Sequence, residues 1–308
     1  MEATTTQYAG FRFASAENVE KAKHAEERVF NEIRRLGLEK HVRDLDENGY
    51  TVLHPDELDE PVLTQRLRDK ILEVAERRHG VKADLEKGLT AHDSKTPFGE
   101  GIYLKGVLFE DPIFELPMQH PKQLALITYL LGESCKLSHT SATIKEQGAE
   151  FLELHVDSSG HPEPLSAYAE QANATWLLTD YSRENGGTCF TPGSHNLRRP
   201  PKPDESIDFS QVVPVEAKAG SLAIWGGNTW HAGLPRVVPG LRVSLMSMYV
   251  RWYSYIVDSD MKSRVTPEML DRNPPRFRKL LGFDQPSAVK SDDPNIKTMA
   301  ETQYNRFA

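Results

Sequence analysis

The hydrophobic pattern of the chain changes period near residue 135. Before that point apolar residues recur every three or four positions, the spacing of helices that bury one face. "SAENVEKAKHAEERVFNEIRRLGL" (15–38) carries Val19, Ala22, Val29, Ile33 and Leu36 on one stripe, with Ser15 as cap and Gly37 near its end. "DENGYTVLHPDEL" reads as a turn and a short strand, and "EPVLTQRLRDKILEVAERRHG" as a second amphipathic helix closing at Gly80. In "HPKQLALITYLLG", Pro121 lies in the first turn and Gly132 just past the last, the usual asymmetry of helix ends.

After residue 135 come short runs rich in β-branched and aromatic residues: "KLSHTSATIK", "AEFLELHVD", "NATWLLTDY", "TCFTP", "VVPVEAKAGSLAIW" and "LRVSLMSMYVRWY". Gly, Pro, Asn and Asp clusters separate them, which predicts an antiparallel barrel or a cupin-like double-stranded β-helix (jelly roll). "NLRRPPKPDESIDF" (196–209) is too rich in proline and charge for a core and predicts an exposed loop. "FGEGIYLKG" (98–106) reads as a loop over the pocket with Lys105 exposed, and "TPEMLDRNPPRFRKLLG" as one helix followed by a polar extension. The predicted plan is a single domain over 1–308: a helical flank to 134, a mainly β catalytic core over 135–257 and a helical extension over 258–308. No internal repeat is visible.

Composition narrows the picture without pointing at a function. Of 308 residues, 38% are apolar and 27% charged, the balance of a soluble globular protein. A net charge of -8 favours neither nucleic acid nor an anionic membrane surface as partner. No apolar run approaches the roughly 18 to 20 residues of a membrane helix. "MEATTTQYAGFRF" lacks the layout of a signal peptide. Cys135 and Cys189 are too few for a disulfide framework or a thiolate zinc site, so a reduced, cytoplasmic enzyme is the expectation.

The chemistry gathers in "ELHVDSSGH" (153–161). In a strand, positions i and i+2 face the same way, so His155 and Asp157 can converge on one ion while Val156 turns aside. A third ligand is available in "AIWGGNTWHAGLPRV", where His231 lies 74 residues beyond Asp157. Two imidazoles and one carboxylate form the facial triad of non-haem iron(II) oxygenases, which leaves coordination positions open for co-substrate and dioxygen. Zinc would more usually be closed by Cys or a third His, or sit in HExxH on a helix, and neither pattern is present. Eleven positions after His231 stands Arg242, sharing a strand face with Ser244. An inward-pointing Arg calls for an anion that it can grip with two hydrogen bonds, such as a carboxylate-bearing co-substrate.

At these residues the chain resembles the phytanoyl-CoA dioxygenase family of iron(II)- and 2-oxoglutarate-dependent oxygenases. The likeness runs over about residues 44–250. It begins at "DLDENGYTVLHPDELDEPVLTQRLRDKI" and is strongest in "NATWLLTDYSRENGGTCFTPGSH", through the Glu-Asn-Gly turn and Pro-Gly-Ser-His. The resemblance implies that His155, Asp157 and His231 bind Fe(II) and that Arg242 anchors 2-oxoglutarate. Thr175 and Ser244 are its further implied co-substrate contacts. It implies a small-molecule oxidation with release of succinate and CO2, using dioxygen, with ascorbate as an assay additive. Hydroxylation comes first, with desaturation, epoxidation or ring formation open to the same chemistry. A carboxylate at Asp157 argues against halogenation, for which related enzymes carry a small residue there. The family often has a small hydroxyl residue two positions after the distal histidine; here it is Gly233.

Other residues have plainer readings. His161 falls in a Pro/Gly turn and reads as solvated, His195 as a loop hydrogen-bond partner and Cys189 as a small core residue. Trp225 and Trp230 either wall the active site or pack in the barrel. The rival reading is a non-oxidative cupin-type isomerase or hydrolase on the same two-His-one-Asp site, which would need no Arg242; a degenerate binding module is the third. The substrate expectation is a small, largely apolar organic molecule, such as a specialised metabolite, rather than a CoA ester. The resemblance leaves a homodimer open.

Overall fold

The computed structural model describes residues 16–90, 95–96, 99–148, 150–158, 160–283 and 307. The helical period of the N-terminal third becomes α1 (Ala16–Leu36), α2 (Glu39–Asn48), α3 (Pro55–Leu58), α4 (Pro61–His79) and α5 (Pro121–Leu131). The Ser15 cap and the side chains of Val19 and Ala22 lie outside the described residues. Helix α4 stops at Gly80, whose φ of +68° closes the helix in the left-handed conformation. Helix α2 has no counterpart in the sequence expectation. Only His41, Val42 and Leu45 of its ten residues are buried, too short a stripe to register as a period.

Between and after these helices run β1 (Tyr50–Leu53), β2 (Lys82–Asp84), β3 (Gly88–Thr90), β4 (Lys95–Thr96), β5 (Gly99–Lys105), β6 (Lys136–Lys145), β7 (Leu152–His155) and β8 (Gln171–Leu177). Then come β9 (Thr188–Phe190), β10 (Val213–Pro214), β11 (Leu222–Gly226), β12 (His231–Gly233) and β13 (Arg242–Val250). They form a major sheet in the order β1-β11-β8-β13-β6-β5-β4 and a minor sheet in the order β10-β9-β12-β7, every pairing antiparallel; β2 and β3 form a separate hairpin. This is a jelly roll with helices packed outside it, as the strand pattern predicts. Three strands of the major sheet, β1, β4 and β5, come from the segment expected to be helical flank.

The register of β13 decides what faces inward. Arg242 pairs with Lys145, Ser244 with Thr143 and Leu177, Met246 with Ser141 and Thr175, and Met248 with His139 and Asn173. Directly paired residues share a sheet face, and most of these line one cavity between the sheets. The alternate residues Val243, Leu245 and Tyr249 are fully buried on the other face, as is Trp176. Burying side chains of this size contributes roughly 1.5–3 kcal/mol each. Gln123 of α5 closes the polar groups there: its Nε2 donates to Tyr249 OH (2.8 Å) and Ser247 Oγ (3.2 Å), and its Oε1 accepts from Trp176 Nε1 (2.7 Å).

Two expectations are corrected. "FGEGIYLKG" contains a strand, β5, with Ile102 and Leu104 buried in the core and Tyr103 and Lys105 lining the cavity. Its glycines conceal the alternation, and one is required: a Cβ at Gly101 (φ +138°) would lie 2.0 Å from Ile144 O. The tail is not one helix. After α6 (Met261–Arg264) it forms α7 (Pro267–Asp271) and α8 (Pro275–Leu280), split where Pro274 and Pro275 remove two backbone donors and disfavour helical geometry before them. The 196–209 loop is exposed or half-buried throughout, as expected. The polar extension beyond residue 283 lies, apart from Phe307, outside the described residues. Among the described residues no helix is long and apolar enough to cross a membrane.

Candidate metal centre and active-site cavity

Strands β7 and β12 are neighbours, and their register sets His155 opposite His231 with ring centroids 4.2 Å apart. Each ring is oriented by a carbonyl two residues before it, on β7 for His155 and in the turn before β12 for His231: His155 Nδ1 lies 2.8 Å from Glu153 O and His231 Nδ1 2.9 Å from Thr229 O. Nδ1–H therefore donates to a carbonyl two residues earlier, and each Nε2 keeps its lone pair for a ligand. Asp157 sits in the turn after β7 rather than on the strand itself, pinned by its N–H donating to Gly227 O at 2.9 Å. Its carboxylate still reaches the pair, with Oδ1 3.9 Å from His155 Nε2 and Oδ2 3.4 Å from His231 Nε2.

One donor atom from each of His155, Asp157 and His231 lies within 4.8 Å of the others, so the three can hold a metal ion together. Burial pushes His231 down to about 4, against the pull of Asp157, so the ring is neutral at pH 7 as a ligand must be. Asp157 Oδ2 accepts from Asn173 Nδ2 and from Trp225 Nε1 (3.2 Å). The donor set, the tautomers and the held carboxylate all fit a divalent metal of the kind bound by mixed imidazole and carboxylate ligands.

The same cavity, about 580 Å³, is lined by all six residues singled out in the sequence: His155, Asp157, His231, Arg242, Thr175 and Ser244. Arg242 is buried at the start of β13; its Nη1 donates to Tyr181 OH (3.0 Å) and its guanidinium lies over that ring at 4.9 Å. It forms no salt bridge among the described residues, and its Nε is buried without a partner. Thr175 and Ser244 are each about 5% exposed, so they reach the cavity but not bulk water.

Sequence reasoning missed several residues here. Lys145, the last residue of β6, is buried at the cavity wall with its Nζ donating to Leu234 O; burial, with Arg242 adding to it, lowers its pKa to about 7. At the opposite end of β6, His139 Nε2 is 2.8 Å from Tyr103 OH and its Nδ1 2.7 Å from Asp258 Oδ1, a polar chain beside Met246, Met248 and Val257. Asn173 stands two positions before Thr175, which the family likeness implied, so the i, i+2 rule applied from Thr175 would have reached it. Trp225 is both wall and hydrogen-bond donor, whereas Trp230 packs away from the cavity and donates to Arg199 O (2.8 Å). His161 is exposed and pairs with Glu170 (2.8 Å), His195 lies 3.1 Å from Asp46 O, and Cys189 is fully buried.

A jelly roll with two imidazoles and a carboxylate at one end of a cavity has the architecture and donor set of the non-haem iron oxygenases. The chain belongs to the phytanoyl-CoA dioxygenase family, whose model matches residues 45–243; the family works with iron(II), 2-oxoglutarate and dioxygen. A similar curated protein is dioxygenase af480 of Aspergillus fumigatus, 29% identical over 177 residues, the match covering 56% of each chain. The chain thus spans about half the length of that relative. Similar folds include HygX of Streptomyces hygroscopicus with nickel, 2-oxoglutarate and hygromycin B bound, with a TM-score of 0.56, 15% identity and coverage of 71% of this chain and 89% of that one. Another is the non-haem carbocyclase SnoK from nogalamycin biosynthesis, with a TM-score of 0.54, 19% identity and coverage of 74% and 91%.

Proposed function

We propose that this protein is an iron(II)- and 2-oxoglutarate-dependent dioxygenase that oxidises, most simply hydroxylates, a small organic metabolite with release of succinate and CO2. The observation that carries the reading is one cavity holding both the His155–Asp157–His231 donors and a buried Arg242 with no anionic partner among the described residues. His155 and His231 present Nε2, and Asp157 presents a carboxylate fixed by Asn173 and Trp225. Arg242 pairs with the far carboxylate of 2-oxoglutarate, and the hydroxyls of Thr175 and Ser244 lie along the same wall to hydrogen-bond it. Bound iron supplies the activation of dioxygen that couples decarboxylation of 2-oxoglutarate to removal of a hydrogen from the substrate. An arginine fixed on a rigid strand sets the distance between that carboxylate and the metal donors.

The remaining cavity, toward Met246, Met248 and Val257 with Tyr103, His139 and Asp258 beside them, suits a mostly apolar molecule bearing one or two polar groups. The arginines of the exposed 196–209 loop give a CoA phosphate no support: Arg199 is paired with Glu205 (2.6 Å) and Arg198 donates to Leu165 O (2.6 Å). HygX, bound to hygromycin B, and SnoK, of nogalamycin biosynthesis, are neighbours whose small-molecule chemistry favours a metabolite here too. The test is anaerobic addition of iron(II) and 2-oxoglutarate, which should produce the weak visible charge-transfer band of the chelate. Metal binding without that band would favour the non-oxidative reading.

A further inference from the structure

Lys145 and Arg242 face each other across the β6–β13 register, both buried, both at the cavity wall. Neither forms a salt bridge among the described residues, and Lys145 Nζ reaches only the Leu234 carbonyl. Two adjacent buried cations repel each other and lose their hydration, a cost that an anion placed between them removes. The space for one is open on the side of β12, because position 233 is glycine. A Cβ there would lie 3.8 Å from Lys145 Nζ and 3.5 Å from Leu152 Cβ, so the ammonium stands next to the place a side chain at 233 would occupy.

We propose that Lys145 is a second cation of the co-substrate site, gripping the far carboxylate of 2-oxoglutarate together with Arg242 in place of a side chain at position 233. The inference rests on the dioxygenase reading above. It has a consequence for pH. The groups acting on the Lys145 amine are Arg242 from β13 and Cys189 from β9, and burial holds that thiol at about 11, so it is neutral. With the free amine near 7, the site is charged below that pH and must take up a proton to bind a carboxylate above it. Affinity for 2-oxoglutarate is therefore full below pH 7 and declines as the pH rises past it.

The experiment measures binding to the iron(II)-loaded protein under nitrogen, by calorimetry and the chelate band. The probes are 2-oxoglutarate and 2-oxopentanoate, the five-carbon keto acid with a methyl group in place of the far carboxylate. Lys145→Met should weaken 2-oxoglutarate by about 10- to 100-fold, the worth of a hydrogen bond to a charged group, and leave 2-oxopentanoate unchanged. It should also abolish the proton uptake seen by calorimetry in two buffers of different ionisation heat. Adding Gly233→Ser to that variant should restore part of the loss. Lys145→Gln keeps a donor for Leu234 O without the charge and should behave as Lys145→Met does. If either variant weakens both keto acids alike, or neither, Lys145 is structural and the proposal is wrong. Arg242→Met separates the two readings: if it too fails to distinguish the keto acids, the co-substrate site itself is misplaced, whereas if it alone distinguishes them, only the role of Lys145 falls.

Discussion

Replacing Asn173 by Leu should lower metal affinity without lowering fold stability. Asn173 is fully buried on β8; its Nδ2 donates to Asp157 Oδ2, while its Oδ1 is buried with no partner among the described residues. Leu keeps the volume, removes the unpartnered oxygen and leaves Asp157 with the Trp225 donor alone. Loss of a group that orients a metal ligand typically lowers affinity about 10- to 100-fold, about 1.4–2.7 kcal/mol. Burying one orphaned acceptor costs about 1–3 kcal/mol, so its removal offsets or exceeds the lost hydrogen bond in the metal-free protein. Competition between the apoprotein and a chelator for iron(II), read beside urea unfolding of the apoprotein, gives both quantities. An Asn173→Leu variant with unchanged metal affinity, or one whose affinity and stability fall together, would refute the assignment of Asn173 as an orienting donor.

Asp157→Ala should abolish iron-dependent succinate formation, because the two imidazoles alone leave the ion without its anionic ligand; undiminished succinate would sink the triad. Gln123→Leu strands the Trp176 N–H and loosens the Tyr249 hydroxyl behind the major sheet, and should cost about 2–5 kcal/mol in chemical unfolding. A change below about 1 kcal/mol would mean that the network is relieved by movement of α5. Gly101→Ala should destabilise through about 1–3 kcal/mol of backbone strain plus a clash with Ile144 O, and, because Gly101 pairs with Lys145, weaken 2-oxoglutarate binding as well. Calorimetric melting and keto-acid binding on the same preparation would show whether the two losses travel together.

What could be read from the chain followed how local each signal is. The bounds of β6 equal the run "KLSHTSATIK", and Pro121 and Gly132 bracket α5, because alternation and end signals need only neighbouring residues. His155, Asp157, His231 and Arg242 stood out because one strand rule and one spacing were enough to group them. Lys145 and His139 lie in "KLSHTSATIK" and Asn173 in "NATWLLTDY", runs equally legible as strands, yet alternation does not say which face of a strand is the cavity. That depends on register across β6, β8 and β13, which involves residues up to about a hundred positions apart. The helix α2 and strand β5 were hidden for simpler reasons: one has a short apolar stripe, the other glycines at positions where alternation would have shown.

The proposed metal donors His155 and His231 belong to the minor sheet, and the proposed carboxylate partners Arg242 and Lys145 to the major one. A 2-oxoglutarate held at both ends is therefore a cross-brace between two sheets, not a guest resting on one of them. Bracing matters most for the minor sheet, whose strands run only two to four residues and have little ladder of their own. At a hundredfold excess over its dissociation constant such a ligand adds about 2.7 kcal/mol to the folded state. Slowed amide exchange in β7 and β12 would record that stiffening, which makes the co-substrate a part of the protein's mechanical frame as well as its reagent.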